Sequence, residues 1–348
     1  MAEMHSAQAP WDEASQNFRN DTHARLLWQE THDYMTGTVL VDASYQTVRS
    51  QCKNKLADCT WYAATRGECF HNFHWMRVNC APACRVCDWL DIKKRCPVNR
   101  TTPGLFAPGD LHRMYERIVQ DFAIYQPKIH SKPSGDPQDQ TVLDGPWILT
   151  LESFLTPGEA NNLIDVAQRR GLKPSIGRVV KNTDGTYERL QAEYRTSSSA
   201  YCHDECYVDD VSRQFNRKIE SVTGTPHSHS TFLHFLRYEE SQFYRRHSDY
   251  VRSHHREQQH GVRVLTILVY LSDVEAGGGT HFPLLNLTVT PKRGRALIFP
   301  NVLNAKPTSE ERRTLHEALP VEAGEKFAVS MYVHQKDYKQ PFYEHCIR

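Results

Sequence analysis

The chain has 348 residues, 39% of them hydrophobic and 24% charged, with a formal net charge of +1. That length predicts about two domains, and the apolar content is enough for a sizeable core. So near-neutral a balance gives no electrostatic case for nucleic acid or for an acidic membrane as partner.

Residues 1–50 are polar without a sustained period and predict a flexible N-terminal segment, with a short helix over Asp21 to Tyr34. The first residues, MAEMHSAQAPWDEASQ, lack the apolar core of a signal peptide. The longest apolar run, Val264 to Leu271, is too short for a membrane helix and is interrupted by Thr266. Ten cysteines point the other way from the missing leader, toward an oxidising compartment, the endoplasmic reticulum lumen or the exterior. Sequons at Asn20, Asn99 and Asn286 are compatible with a glycoprotein on that route.

Six of the cysteines fall in one unit, CKNKLADCTWYAATRGECFHNFHWMRVNCAPACRVC, and predict a disulfide-rich module over 51–88. It has too few aliphatic residues for a core, so covalent links must carry its stability. A zinc site is the competing reading, because Cys84 and Cys87 form a CxxC with His71 and His74 nearby. Zinc would want a second paired spacing, and none is present. The unit resembles the ShKT domain in its six cysteines, in Asp58, Trp61, Gly67 and Met76, and in the closing CxxxCxxC. That resemblance implies the pairing Cys52–Cys87, Cys59–Cys80 and Cys69–Cys84, and a structural module that could dock to a membrane or a partner. Of the remaining four cysteines, Cys202 and Cys206 are close enough to pair. Cys96 and Cys346 are then left over, and by arithmetic alone could tie the connector to the C-terminus.

Residues 89–145 read as a connector. Leu111, Met114, Tyr115, Ile118 and Phe122 lie at helical spacing within Asp110 to Tyr125. Gln126 to Gly145, with Pro127, Pro133 and Pro137, reads as a linker. The second domain, 146–348, opens with a strand at Trp147 to Leu151. Thr156, Pro157 and Glu159 then form a capping box that starts a helix running to Arg170. A second helix over about Asp204 to Val222 ends at Gly224, and after it come strands at 231–238, 262–272, 286–290, 295–299, 314–320 and 326–334. Helices followed by many strands predict a mainly β sandwich or barrel with flanking helices.

Within it, His247 and Asp249 are two apart, so on an extended segment they project to the same face. An imidazole beside a carboxylate supplies two of the three ligands of a 2-His-1-carboxylate triad, which suits Fe(II) because it leaves positions open. HxD alone is a weak signal. His316, in the strand-like TLHEALPV, is the candidate third ligand; His254, His255 and His260 lie in a polar insertion and are expected to face solvent, and His281 is a weak candidate. On the last strand Lys326, Ala328, Ser330, Tyr332 and His334 share one face, and a lysine there calls for an anionic partner.

The linked segments RYEESQFYRRHSDY, RVLTILVYLSDVEAGGGTHFP, PKRGRALIFPN and LHEALPVEAGEKFAVSMYVH resemble the prolyl 4-hydroxylases. The resemblance covers about residues 146–345. It implies a double-stranded β-helix (jelly-roll) core and an oxygenase that uses Fe(II), 2-oxoglutarate, O2 and L-ascorbate on proline in polypeptides. It assigns iron to His247, Asp249 and His316, and the co-substrate carboxylate to Lys326, with Tyr238, Tyr270 and Thr280 beside it. Arg263 and His334 match positions lining the peptide site, and Tyr332 stands where related enzymes often carry tryptophan. A related oxygenase acting on lysine, or a catalytically silent ShKT-containing binding protein, are the alternatives.

Overall fold

The computed structural model describes residues 21–98, 101–133, 143–181, 187–191, 194–254 and 258–347. Asn20, Asn99, Pro137 and His255, singled out above, lie outside the described residues. The chain divides into two compact units, Met1–Asn99 with Gln340–Arg348, and Arg100–Lys339. Among the described residues no helix is long and apolar enough to cross a membrane.

The smaller unit holds short helices and four disulfides, Cys52–Cys87, Cys59–Cys80, Cys69–Cys84 and Cys96–Cys346. Residues 21–50 are not a flexible lead-in where they are described. Asp21 caps the helix Thr22–Tyr34 by accepting from the backbone N–H groups of His23 and Ala24. The chain after it brings Tyr34, Met35, Val39 and Tyr45 against Cys52, Ala81 and Cys87. The cysteine segment is poor in aliphatics, and the preceding residues supply the apolar surface it lacks. The C-terminal residues 340–347 belong here too, joined through Cys346, whereas the sequence placed them in the second domain.

The larger unit begins at Arg100 rather than near Pro146, for a physical reason. The helix Asp110–Asp121 buries Leu111, Met114, Tyr115 and Ile118 in the same core as the strands that follow. The supposed linker contains a strand, Pro127–Lys132, paired antiparallel with Ile148–Leu151. Among the described residues nine strands make the main sheet, in the order Leu143–Asp144, Pro127–Lys132, Ile148–Leu151, Ala296–Pro300, Arg263–Tyr270, Lys326–His334, His234–Tyr238, Ser198–Tyr201, Lys173–Pro174. The helix expected over Asp204 to Val222 is broken at Asp209, which caps a fresh helix, Asp210–Thr223, ended by Gly224.

Alternation along the central strands decides what each face does. Phe327, Val329, Met331 and Val333 point into the principal core, as do Leu265, Ile267, Val269 and Phe235. The helices Asp110–Asp121, Pro157–Arg170 and Asp210–Thr223 cover that face with Ile118, Leu163, Phe215 and Ile219. The opposite face carries Lys326, Ala328, Ser330 and Tyr332, with Thr266, Leu268, His234, Leu236 and Tyr238, and lines a cavity. A second sheet, in the order Leu287–Val289, Thr280–Phe282, His316–Ala318, Tyr244–His247, supplies the other wall. Two sheets enclosing a cavity, with helices outside, make a mainly β jelly roll.

Candidate active site

The second sheet brings two of the sequence-predicted ligands together by register. His316 pairs directly opposite His247 across the strands, and their ring centroids lie 4.3 Å apart. Asp249, two residues beyond, turns its carboxylate between them: Oδ1 is 3.7 Å from His247 Nε2 and Oδ2 is 3.6 Å from His316 Nε2. The ligand atoms of the three residues all lie within 4.8 Å of one another.

Each ring is oriented by its own backbone. His247 Nδ1 is 2.9 Å from the carbonyl of Arg245, and His316 Nδ1 is 3.0 Å from that of Thr314. A carbonyl can only accept, so both protons sit on Nδ1 and both Nε2 lone pairs face Asp249. Burial pushes His247 down to about 4, with the neighbouring His316 adding to it, so the ring is neutral near pH 7. Burial alone would raise the Asp249 carboxyl, but His316, His247, Arg263 and the Thr266 hydroxyl more than offset it, and it sits below the usual range. Two imidazoles presenting their Nε2 lone pairs and one carboxylate are the donor set that fits Fe(II) while leaving positions free.

Thr266 donates to Asp249 Oδ2 at 2.8 Å, and the Asn301 amide donates to Thr266 Oγ1 at 2.9 Å. The sequence reading missed both, although Thr266 was visible as the polar break in an apolar run. Tyr244 stacks on the His247 ring at 3.7 Å, and Arg195 lines the cavity with its side chain against Tyr244 and Ser197. No motif marked Arg195.

Lys326 is 2% exposed and lies opposite Tyr238 in the sheet register. One N–H of its ammonium donates to the Gly278 carbonyl at 2.6 Å, and the Tyr238 and Tyr270 rings flank Nζ at 5.0 and 5.4 Å. Gly278 has φ +67°, a backbone conformation that favours glycine. With no carboxylate beside it among the described residues, burial pushes Lys326 down to about 7. Tyr238, Thr280 and Tyr332 line the same cavity. Tyr270 stands behind it, its hydroxyl 2.7 Å from Thr280 Oγ1.

Two predicted residues are not brought to the cavity wall. The Arg263 guanidinium lies over the Tyr332 ring, 3.9 Å from its centroid. His334 is fully buried against His260, Nδ1 to Nδ1 at 2.8 Å. The solvent-facing placement of His260 was therefore wrong: it is fully buried, and His254 is half-buried beside it. His254 and His260 pack against His334 at the end of the central strand. His281 hydrogen-bonds Thr288 and takes no part in the site.

Residues 233–334 match the 2OG-Fe(II) oxygenase superfamily. The larger unit is a Fe(II)- and 2-oxoglutarate-dependent oxygenase, an enzyme that uses O2. Its relatives are narrower in kind. Probable prolyl 4-hydroxylase 7 of Arabidopsis thaliana is 29% identical over 244 residues, 64% of this chain and 74% of that protein. Prolyl 4-hydroxylase subunit alpha-1 of Rattus norvegicus is 30% identical over 204 residues, 57% of this chain, and the match spans only 36% of that subunit. Among solved structures, the viral collagen prolyl hydroxylase of Paramecium Bursaria Chlorella virus-1 aligns at 24% identity and TM-score 0.41, over 54% of this chain and 95% of its own.

Proposed function

We propose that the chain is a peptidyl-proline 4-hydroxylase, coupling decarboxylation of 2-oxoglutarate to hydroxylation of proline in a polypeptide. The observation that carries this reading is the convergence of His247, Asp249 and His316 with Lys326 on one cavity between two sheets. Relatives named as prolyl 4-hydroxylases support proline as the target.

In this reading His247, Asp249 and His316 hold Fe(II), which supplies the oxygen activation when bound. Lys326 binds the distal carboxylate of 2-oxoglutarate through the N–H groups that Gly278 does not occupy, and the surrounding burial strengthens that charge-assisted bond. Tyr238 and Thr280 bound the co-substrate pocket. Thr266 and Asn301 keep the Asp249 carboxylate aimed at the metal position. Tyr332, clamped under Arg263, forms the wall against which the peptide is aligned. L-ascorbate is the expected reductant. The smaller unit serves as an ShKT-like module for structure or docking, and its disulfides support an oxidising compartment, the endoplasmic reticulum lumen or the exterior, as the chain's location.

The test is to incubate the full chain with proline-rich peptides, Fe(II), ascorbate and 2-oxoglutarate and to read peptide masses and succinate. Addition of one oxygen to proline is expected. Oxygen found on lysine would move the reading to the related oxygenase, and absence of both product and succinate would sink it.

A further inference from the structure

A second group of histidines stands outside the oxygenase triad. His254, His260 and His334 each offer a ring nitrogen, and these lie within 4.8 Å of one another. The ring centroids are 4.7 Å apart for His254 and His260, 4.3 Å for His260 and His334, and 5.9 Å for His254 and His334. His260 and His334 are fully buried.

Their ring nitrogens are only partly hydrogen-bonded. The Gly261 carbonyl lies 2.8 Å from His260 Nδ1 and 3.1 Å from His334 Nδ1. Gly261 has φ +68°, a conformation that suits glycine and aims this carbonyl at both rings. The two Nδ1 atoms are also 2.8 Å apart, so one of them donates and the other accepts, and the ring whose Nδ1 accepts holds its own proton on Nε2 until a metal displaces it. His260 Nε2, His334 Nε2 and His254 Nδ1 are all buried with no hydrogen-bond partner among the described residues. Three unmet buried nitrogens in one cluster are costly for a purely structural packing, because each forfeits its hydration for nothing. A metal held by one nitrogen of each ring, the three ligand atoms lying within 4.8 Å of one another, would relieve that deficit.

We infer that His254, His260 and His334 form a second metal site, one that takes Zn(II). The donors are all imidazole, with no carboxylate in the group, which disfavours magnesium, calcium and manganese and suits zinc with one position open. The Gly261 carbonyl plays the orienting part that backbone carbonyls play for ligating histidines. His334 is the next inward residue after Tyr332 on the cavity strand, so the site anchors the inserted loop to the end of that strand. It is independent of what the oxygenase acts on.

The experiment is equilibrium dialysis of the full chain against Zn(II), in a His247→Ala background so that the oxygenase triad cannot hold the probe. A single equivalent of zinc is expected to remain. Adding His254→Ala, at a half-buried position, should weaken it at least about ten-fold, and adding His260→Ala should abolish it. His281→Ala, an accessible histidine away from the cluster, should leave zinc binding unchanged. In the unsubstituted chain, His254→Ala should remove one equivalent and leave the triad's, which separates this proposal from the oxygenase assignment. No stoichiometric zinc in the His247→Ala chain, or zinc binding unaltered by His254→Ala, overturns the site.

Discussion

The two units solve the stability problem by different means. The larger buries large apolar side chains on one sheet face, Phe154, Phe235, Ile118 and Ile267 among them, each contributing about 1.5–3 kcal/mol by burial. The smaller has two little clusters, built around Val39 and Ala81 and around Met76 and Ala83, and cysteine sulfur makes up much of both. Its links Cys52–Cys87, Cys59–Cys80 and Cys69–Cys84 close loops of 35, 21 and 15 residues, each worth about 2–4 kcal/mol. A core supported on one face leaves the other free, and the larger unit uses that freedom to hold polar and charged groups in a cavity. A unit with so little apolar burial cannot bear the desolvation of a buried Lys326 or Asp249. Chemistry therefore sits where hydrophobic burial is in excess.

The comparison is tested hardest at the three residues proposed to hold iron. His247→Ala, Asp249→Ala or His316→Ala should each abolish turnover while leaving the thermal transition of the larger unit close to the parent's. Normal succinate release from any one of them would remove it from the iron site. Lys326→Ala comes next. It should raise the 2-oxoglutarate requirement by about 2–5 kcal/mol, since the distal carboxylate is left unpaired. Lys326→Arg should rescue only in part, because a planar fork does not fit a pocket shaped around one ammonium. Unaltered 2-oxoglutarate dependence in Lys326→Ala would shift the carboxylate to Arg195, the other cation on the cavity wall.

Reduction should separate the units. After disulfide cleavage, hydrogen exchange should accelerate over residues 52–87 and stay slow over 326–334. The larger unit's own link, Cys202–Cys206, spans only four residues in sequence, so its loss should cost little. Equal loss of protection in both units would show that the larger core depends on the disulfides after all.

The sequence made the site legible where one spacing carries one requirement. HxD at the end of a strand, His316 on a strand and a lysine on the inward face of Lys326–His334 are all period-two readings; register sets His316 opposite His247, and Lys326 lines the same cavity from the other sheet. The connector was misread because composition stood in for pairing. Pro127–Lys132 sits near the edge of the sheet, where a proline at the strand start is tolerated, and polar residues outnumber apolar ones. His260 was misread because a polar insertion was taken as solvated, while its burial comes from chain folded back over His334. Arg195 and Asn301 reach the site only through tertiary packing, which no local pattern encodes.

Thr266→Val tests the support beneath the triad. It keeps the volume and removes the hydroxyl that donates to Asp249, so Fe(II) affinity should fall about 10–100-fold without a change in fold. An unchanged iron titration would mean that Asp249 is held by its backbone alone.

The smallest effect is the pH dependence of co-substrate binding. Burial holds Lys326 at about 7, far below the 10.5 of an ordinary lysine. A carboxylate seated against it requires the ammonium. Below pH 7 the free protein already carries that proton, and 2-oxoglutarate affinity should be flat. Above it, binding must take up a proton, so affinity should fall about ten-fold per pH unit until the raised lysine pKa of the complex is reached. His247, held at about 4, stays neutral over this window, so the proposed iron site gains no slope from that ring. Lys326→Arg supplies the control, because a guanidinium does not titrate there. Dissociation constants measured from pH 6 to 9 should slope in the parent and stay level in the arginine variant. Equal slopes would assign the proton to another group. A level parent would mean that Lys326 keeps its charge without a ligand, with the flanking Tyr238 and Tyr270 rings and the Gly278 carbonyl sufficing to hold it.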